Sequence, residues 1–293
     1  MSAIPPPVSL VVDLLRQGNL LEVCARAAAR TGLGPAGYRE DGAVLLAGSS
    51  SEWLPTRPPA GAARRPESAV REVHLLTPTE DRVRELRARY PGAWLHGAAR
   101  EGLDREGARR LAGAGLDSLG VATGRAEEAG GPWEDLLDLP LPLVASALYG
   151  PQTPPEALAA RLERLAGVPN LSVLVWLPLH PGDQLEVPGQ TTDGTDDALL
   201  LAVSRLVLPA RVRVRSSWAA HGWKMAQFAL ALGVDEVAGW GLEEQRAWLS
   251  GLEPADPLSG LEPAARLGRE EAEAGVLEAR RQPREVRGCA WES

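Results

Sequence analysis

Cysteine is nearly missing from this chain. Cys24 and Cys289, its two thiols, stand near opposite ends, so there is no CxxC pair and no disulfide framework. Lysine is scarcer still: Lys224 is the single one, and the other basic residues are arginines. The four histidines show no HxH or HExxH spacing, which excludes the common metal-binding motifs. There is no Walker-type loop and no G-x-S-x-G, and the G-x-G-x-x-G at Gly32–Gly37 follows a helical pattern rather than a strand, so nucleotide-fold and serine-hydrolase readings find no support. Positive charge is also lacking. A net charge of −8 and a pI near 5.2 argue against a general nucleic-acid binder. No apolar run is long enough to span a bilayer: Leu139–Tyr149 and Leu199–Ala210 are too short, and the second carries Arg205. The opening MSAIPPPVSL has no basic stretch followed by an apolar run, so no signal peptide is expected there. The expectation is a soluble, cytoplasmic protein with neither membrane nor nucleic acid as partner.

What is present is a chain rich enough in apolar residues, 44%, to bury a substantial core. Helical spacing predicts a helix from Ser9 to Arg30, with Cys24 on its apolar stripe as a buried thiol. The Pro-, Gly- and Arg-rich stretch Gly48–Ser68 reads as a loop. From Val70 onward, apolar runs alternate with helical patterns. Strands are predicted at Glu72–Leu76, Ala93–His96, Ser118–Ala122, Leu141–Leu148, Leu171–Leu177, Arg211–Ser216 and Val234–Ala238. Between them lie helices at Thr79–Arg89, Asp104–Ala114, Asp196–Leu208 and Ala219–Leu232, and one opened by the capping box Thr153-Pro154-Pro155-Glu156. Such alternation predicts a parallel sheet, and so many units favour an α/β TIM-type barrel, complete or partial, over an open sheet. The barrel with its N-terminal helices is expected over residues 1–250. A C-terminal helical extension and tail is expected over 251–293, its charged segment Glu270–Arg287 read as a solvated helix that frays.

Three stretches carry a family resemblance. RLVLPARVRVRSSWAAHGWKMAQFALALGVDEVAGWGLEE (Arg205–Glu244), WLHGA with LAGAGLDSLG (Trp94–Gly120), and ALYGPQTPPEALAARLERL with the following VLVWLPLHP resemble the radical-SAM enzymes of futalosine-dependent menaquinone biosynthesis. These are aminofutalosine synthase and dehypoxanthine futalosine cyclase. The resemblance implies a radical-SAM barrel, a CxxxCxxC loop after the first barrel strand and an open iron for S-adenosylmethionine. Here the corresponding loop, Gly48–Ser68, contains no cysteine. No iron–sulfur cluster is therefore expected, and S-adenosylmethionine loses its anchor. The family's Gly-His-x-Glu-Thr turn is replaced by Gly150-Pro151-Gln152-Thr153-Pro154, and its Asn-Asp turn by Val234-Asp235.

Barrel ligand sites lie at the C-terminal ends of strands. That rule nominates His74 or Thr77, His96, Thr123, Tyr149 with Gln152, Trp176 with His180, Ser217 with Trp218, and Trp240, and the family's Asn-Asp turn adds Asp235. Each tryptophan can stack on a ring or simply close the core. A sharper pattern is the alternation of Arg211, Arg213 and Arg215 with Val212 and Val214. Period-two geometry sends the valines under the helices and the arginines into the barrel. There the guanidiniums can pair with internal carboxylates such as Glu72, or hold a ligand carboxylate or phosphate. Three functions fit: a non-catalytic partner of a cluster-bearing homologue or binder of a futalosine-type intermediate, an enzyme of cluster-independent chemistry on a related small anionic substrate, and a pathway enzyme whose cluster ligands come from another chain. No catalytic residue and no metal site is nominated.

Overall fold

The alternation is realised as strands that keep opposite chemistries on their two faces. In the computed structural model, residues 8–17, 19–32, 34–39, 44–47, 52–53, 70–99, 103–123, 139–178, 192–239, 241, 269–287 and 289–291 are described. The strands are β1 (Ala36–Tyr38), β2 (Val44–Ala47), β3 (Glu52–Trp53), β4 (Glu72–Leu75), β5 (Trp94–Ala98), β6 (Ser118–Thr123), β7 (Leu143–Tyr149), β8 (Leu171–Pro178), β9 (Arg213–Ser217), β10 (Glu236–Ala238), β11 (Pro283–Arg287) and β12 (Ala290–Trp291). The helices are α1 (Val8–Gln17), α2 (Leu20–Thr31), α3 (Glu80–Arg89), α4 (Arg105–Ala114), α5 (Pro155–Gly167), α6 (Gly194–Val207), α7 (Trp218–His221), α8 (Trp223–Ala231) and α9 (Arg269–Glu278).

The sheet order is β12-β11-β1-β10-β9-β8-β7-β6-β5-β4-β2-β3. Neighbours are parallel from β11 to β2, and the terminal pairs β11–β12 and β2–β3 are antiparallel. This sheet curls. Arg39, just past β1, and Glu72 on β4 have β10, β9, β8, β7, β6 and β5 between them. In a flat sheet they would stand on the order of 30 Å apart, at about 4.8 Å per strand. Instead Arg39 Nη1 lies 3.3 Å from Glu72 Oε2. The concave side is therefore a lumen, and the TIM-type expectation holds.

Alternation explains both faces. On β4 and β5, Val73, Leu75 and Leu95 join the core under the helices, whereas Glu72, His74 and His96 point the other way. Registers carry the division around the sheet: His96 pairs with Ser118, Val175 with Arg215, and Arg215 with Glu236. On β7 and β8 the inner face is apolar, where Val144, Val173, Val175 and Leu177 form a cluster separate from the outer core. Outside, α1 and α2 pack on α5 and α6.

Element ends depart from expectation for local reasons. The long N-terminal helix is two, with Asn19 accepting the Leu21 N–H to start α2. The helix expected over 219–232 is broken at Gly222, whose φ of 80° favours glycine. The capping box is not formed: Pro154 is the N-cap of α5, and Thr153 Oγ1 accepts from Gly150 N at 2.9 Å instead. The C-terminal segment is not one fraying helix. It buries Ala272 and Val276, stops at Glu278 and, past Arg280 at φ 58°, supplies β11 to the sheet.

One arginine fixes the β9–β10 end. Arg205 Nη1 donates to Val212 O and Asp235 Oδ2, both at 2.6 Å, and Nη2 donates to Leu208 O and Pro209 O at 3.0 and 2.9 Å. Removing it strands a carboxylate and three carbonyls together. Arg205→Ala is expected to lower unfolding stability by about 3–5 kcal/mol, and Lys to rescue little because one ammonium cannot span that set. Urea titration measures this; a loss below about 1 kcal/mol, the scale of an ordinary point substitution, would contradict it.

Candidate ligand site in the barrel lumen

The lumen gathers charge that has no place in an ordinary core. Arg213 Nη1 lies 2.6 Å from Glu236 Oε2, and Arg215 Nε donates to Glu236 Oε1 at 2.5 Å. One carboxylate thus bridges two guanidiniums from the neighbouring strand. Arg213 keeps 10% of its side chain exposed, against 3% for Arg215 and 1% for Glu236, so Arg213 is the member most open to an incoming group. Across the lumen Arg39 pairs with Glu72 and donates to Gly239 O at 3.0 Å.

Beside Glu72 stands an imidazole pair. His74 Nε2 is 2.9 Å from Glu72 Oε2, and the His74 and His96 rings meet edge to face at 4.9 Å. His96 Nδ1 is 2.8 Å from Ser118 Oγ, which also accepts from Trp94 Nε1 at 2.8 Å. Burial holds His74 down to about 4, although its hydrogen bond to Glu72 pulls the other way. At neutral pH His74 is therefore uncharged. The named lumen charges are then three guanidiniums against two carboxylates, a positive bias.

A second cluster lies at the C-terminal end of β7. Tyr149 OH donates to Asp197 Oδ1 at 2.5 Å, and His221 Nε2 lies 3.3 Å from the same hydroxyl. Burial, and then the Asp197 charge, raise the Tyr149 phenol well above its ordinary range, so it stays a donor. His221 Nδ1 faces Ser217 O at 3.0 Å.

Of the nominated residues, the structure brings His74, His96, Arg213 and Arg215 together in the lumen. Arg211 does not join them; it is exposed and donates to Val168 O at 2.9 Å. Trp176 lies on the outer face, fully buried, donating to Ser204 Oγ of α6 at 2.7 Å. Trp218 packs with Tyr38 and Val237, so close over Gly239 that a Cβ there would collide with its indole. Ser217 accepts from Ala220 N as the cap of α7. Asp235 accepts from Arg205 and from Val214 N, which gives it a structural job. Gln152 is exposed in the turn before α5. His180 and Trp240 lie outside the described residues. Sequence reasoning missed Glu236, Arg39 and Trp94. Alternation against Val237 on the Glu236–Ala238 strand is the signal that marks Glu236 as inward.

No protein-family model matches the sequence. The fold is similar to that of methylornithine synthase, which superposes over 96% of this chain and 95% of its own, with a TM-score of 0.61 at 12% identity. By sequence, the chain is similar to 5-amino-6-(D-ribitylamino)uracil–L-tyrosine 4-hydroxyphenyl transferases. The one from Methanosarcina barkeri is 29% identical over 51% of this chain and 45% of its own length; one from Methanosarcina mazei is 27% identical over 58% and 54%. The chain thus spans about half the length of these relatives.

The thiols do not fit the cluster of such barrels. Three thiolates must converge on one cubane. Cys24 is buried in the helix-side core on α2, and Cys289 packs on the lumen-side cluster, so even these two are divided by the sheet. Burial raises both thiols, Cys289 to about 12.

The imidazole gives a pH signature. His74 has an ordinary value of 6.5 and about 4 when folded, so between these the unfolded chain binds more protons. Its contribution is complete above about pH 6.5 and falls as the pH drops toward about 4. The difference in urea midpoint between wild type and His74→Gln should therefore change across that window and stay constant above it. A flat difference would contradict a neutral, buried His74.

Proposed function

We propose that this protein is a cluster-free radical-SAM-like barrel that binds a small aromatic carboxylate in its lumen and performs no radical chemistry. The observation that carries this reading is the Arg213–Glu236–Arg215 bridge, two guanidiniums sharing one carboxylate on an inner wall biased toward positive charge. A planar guanidinium fork suits a carboxylate, and the low-dielectric lumen strengthens the contact. Trp94, His74 and His96 supply the ring surfaces, in place of Trp176 and Trp218 on the outer side of the sheet. The Cys289 thiol, held neutral by burial, is no cluster ligand under these conditions.

The ligand's metabolic setting is a narrower question. The sequence resemblance points to the futalosine route of menaquinone synthesis. The curated relatives carry a different reaction in their names, joining a tyrosine-derived 4-hydroxyphenyl group to a ribitylaminouracil. Both settings are compatible with a non-catalytic companion of a cluster-bearing enzyme, and we favour that role over cluster-independent catalysis because no metal-holding set occurs among the described residues and the Cys289 thiol beside the arginines is held neutral.

Calorimetric titration with 4-hydroxybenzoate, tyrosine, futalosine-type nucleosides, 5-amino-6-(D-ribitylamino)uracil and inorganic phosphate tests this reading. An aromatic carboxylate is expected to bind. At a concentration of 100 times its Kd, it should stabilise the fold by about 2.7 kcal/mol. Arg213→Met should weaken binding at least about tenfold while leaving Glu236 paired with Arg215. Failure of every acid to bind, or undiminished binding by Arg213→Met, would overturn the reading.

A further inference from the structure

We propose that the turn between β11 and β12 is a lumen plug, which occupies the ligand space of the barrel and must withdraw before a ligand reaches Arg213 and Arg215. The inference rests on the lumen-binding reading above, since it names the regulation of that same site.

Three observations place the turn inside. First, β11 joins the sheet at β1, with Ala36, Gly37 and Tyr38 paired to Pro283, Arg284 and Glu285, and then runs past the end of β1 to Arg287. Second, Val286 lies over the inner face of β1. A Cβ added at Gly37 would collide with Val286 Cγ2 and come within 2.9 Å of Glu236 Cβ, so the same side of Gly37 faces both the lumen carboxylate and the incoming chain. Third, Cys289, in the turn itself, touches the walls of several strands at once. It packs, partly buried, against the valine and leucine cluster of β7 and β8, and Arg213, Arg215, Glu236 and Ser118 lie close enough to act on its thiol. A single side chain meets all of these only from within the lumen.

The base and the tip of this segment differ in their hold. At the base, Arg281 donates to Gly34 O and Pro35 O, both at 2.8 Å, to Leu230 O at 3.2 Å and to Val234 O. That anchors the start of β11 to the loop before β1. Among the described residues, the tip shows the packing of Cys289 on the β7–β8 cluster and the short β11–β12 pairing of Val286 with Trp291 and Arg287 with Ala290. Such a hinge lets the turn leave while β11 stays in the sheet. Because tip and ligand compete for the wall beside Arg213, the apparent affinity falls with the fraction of molecules whose lumen is open.

Maleimide labelling of Cys289 reads the tip directly, in a Cys24→Ala background that leaves one thiol. Burial holds the thiol neutral and its seat on the β7–β8 cluster covers part of it, so labelling quickens on withdrawal. The folded protein should label at least about tenfold more slowly than the same chain in urea. Gly37→Val, and independently Val286→Asp should the first fail to fold, should speed labelling about tenfold while retaining the far-ultraviolet spectrum of the fold. Saturating 4-hydroxybenzoate should also speed it. Labelling as fast in the folded protein as in urea, or unchanged by either variant, overturns the plug. An acid that binds without speeding labelling overturns it as well and leaves the binding reading standing. If no acid binds, the binding reading falls, and the two variants alone decide whether the tip is seated.

Discussion

Everything in this structure depends on burying charge inside a parallel sheet without leaving any of it unsolvated. The ion pair of Arg39 with Glu72 joins two strands remote in the sheet order, and it exists only because the sheet curls. On the opposite wall Glu236 holds Arg213 and Arg215 side by side. Each pair costs desolvation that its partner must offset, so removing one member leaves a buried charge with a penalty of several kcal/mol. The curl and the charges therefore stabilise one another: the sheet brings the partners together, and the partners restrict how far it can open. An all-apolar lumen would tolerate many curvatures. A lumen with fixed ion pairs tolerates few.

The scarcity of lysine fits the same economy of partners. Arg205, Arg87 and Arg281 each gather carbonyl oxygens left over where strands and helices end. Arg87 donates to Ala93 O and Gly115 O, at 2.7 and 2.8 Å, and pairs with Asp117. A fork of five donors reaches several such acceptors from one position, whereas a single ammonium does not. The charge bias of the sequence thus has a structural use at element ends, independent of any ligand.

Much of the barrel is legible in the sequence because its strands are buried on both sides and its helices carry ordinary stop signals. The Val–Arg alternation on β9 gives the inward direction of Arg213 and Arg215 correctly, since period-two geometry is local. It fails at Arg211, which precedes the strand and finds carbonyls on the loop after α5 instead. The arginines' partner is Glu236 rather than Glu72, because the partner depends on which strand lies beside β9, and strand order is not written in a strand's own residues. Trp176 shows the other limit. Its place near a strand end suggests a mouth residue, yet one step of alternation relative to Val175 turns it outward, under α6. Strand β1, of three residues, is too short for periodicity to reveal, and β11 lies within the charged segment read as one helix. The resemblance to radical-SAM enzymes lies in motif order, and the proposal that no cluster is held rests on the count of thiols.

The proposed absence of a cluster is the central claim, and anaerobic reconstitution with iron and sulfide tests it most directly. The protein, freed of loosely bound metal by gel filtration, should retain iron well below stoichiometry, show no thiolate-to-iron charge-transfer absorbance and cleave no S-adenosylmethionine beyond a Cys24→Ser, Cys289→Ser control. Stoichiometric iron that survives filtration, with reductive cleavage to deoxyadenosine above that control, would contradict a barrel without radical chemistry.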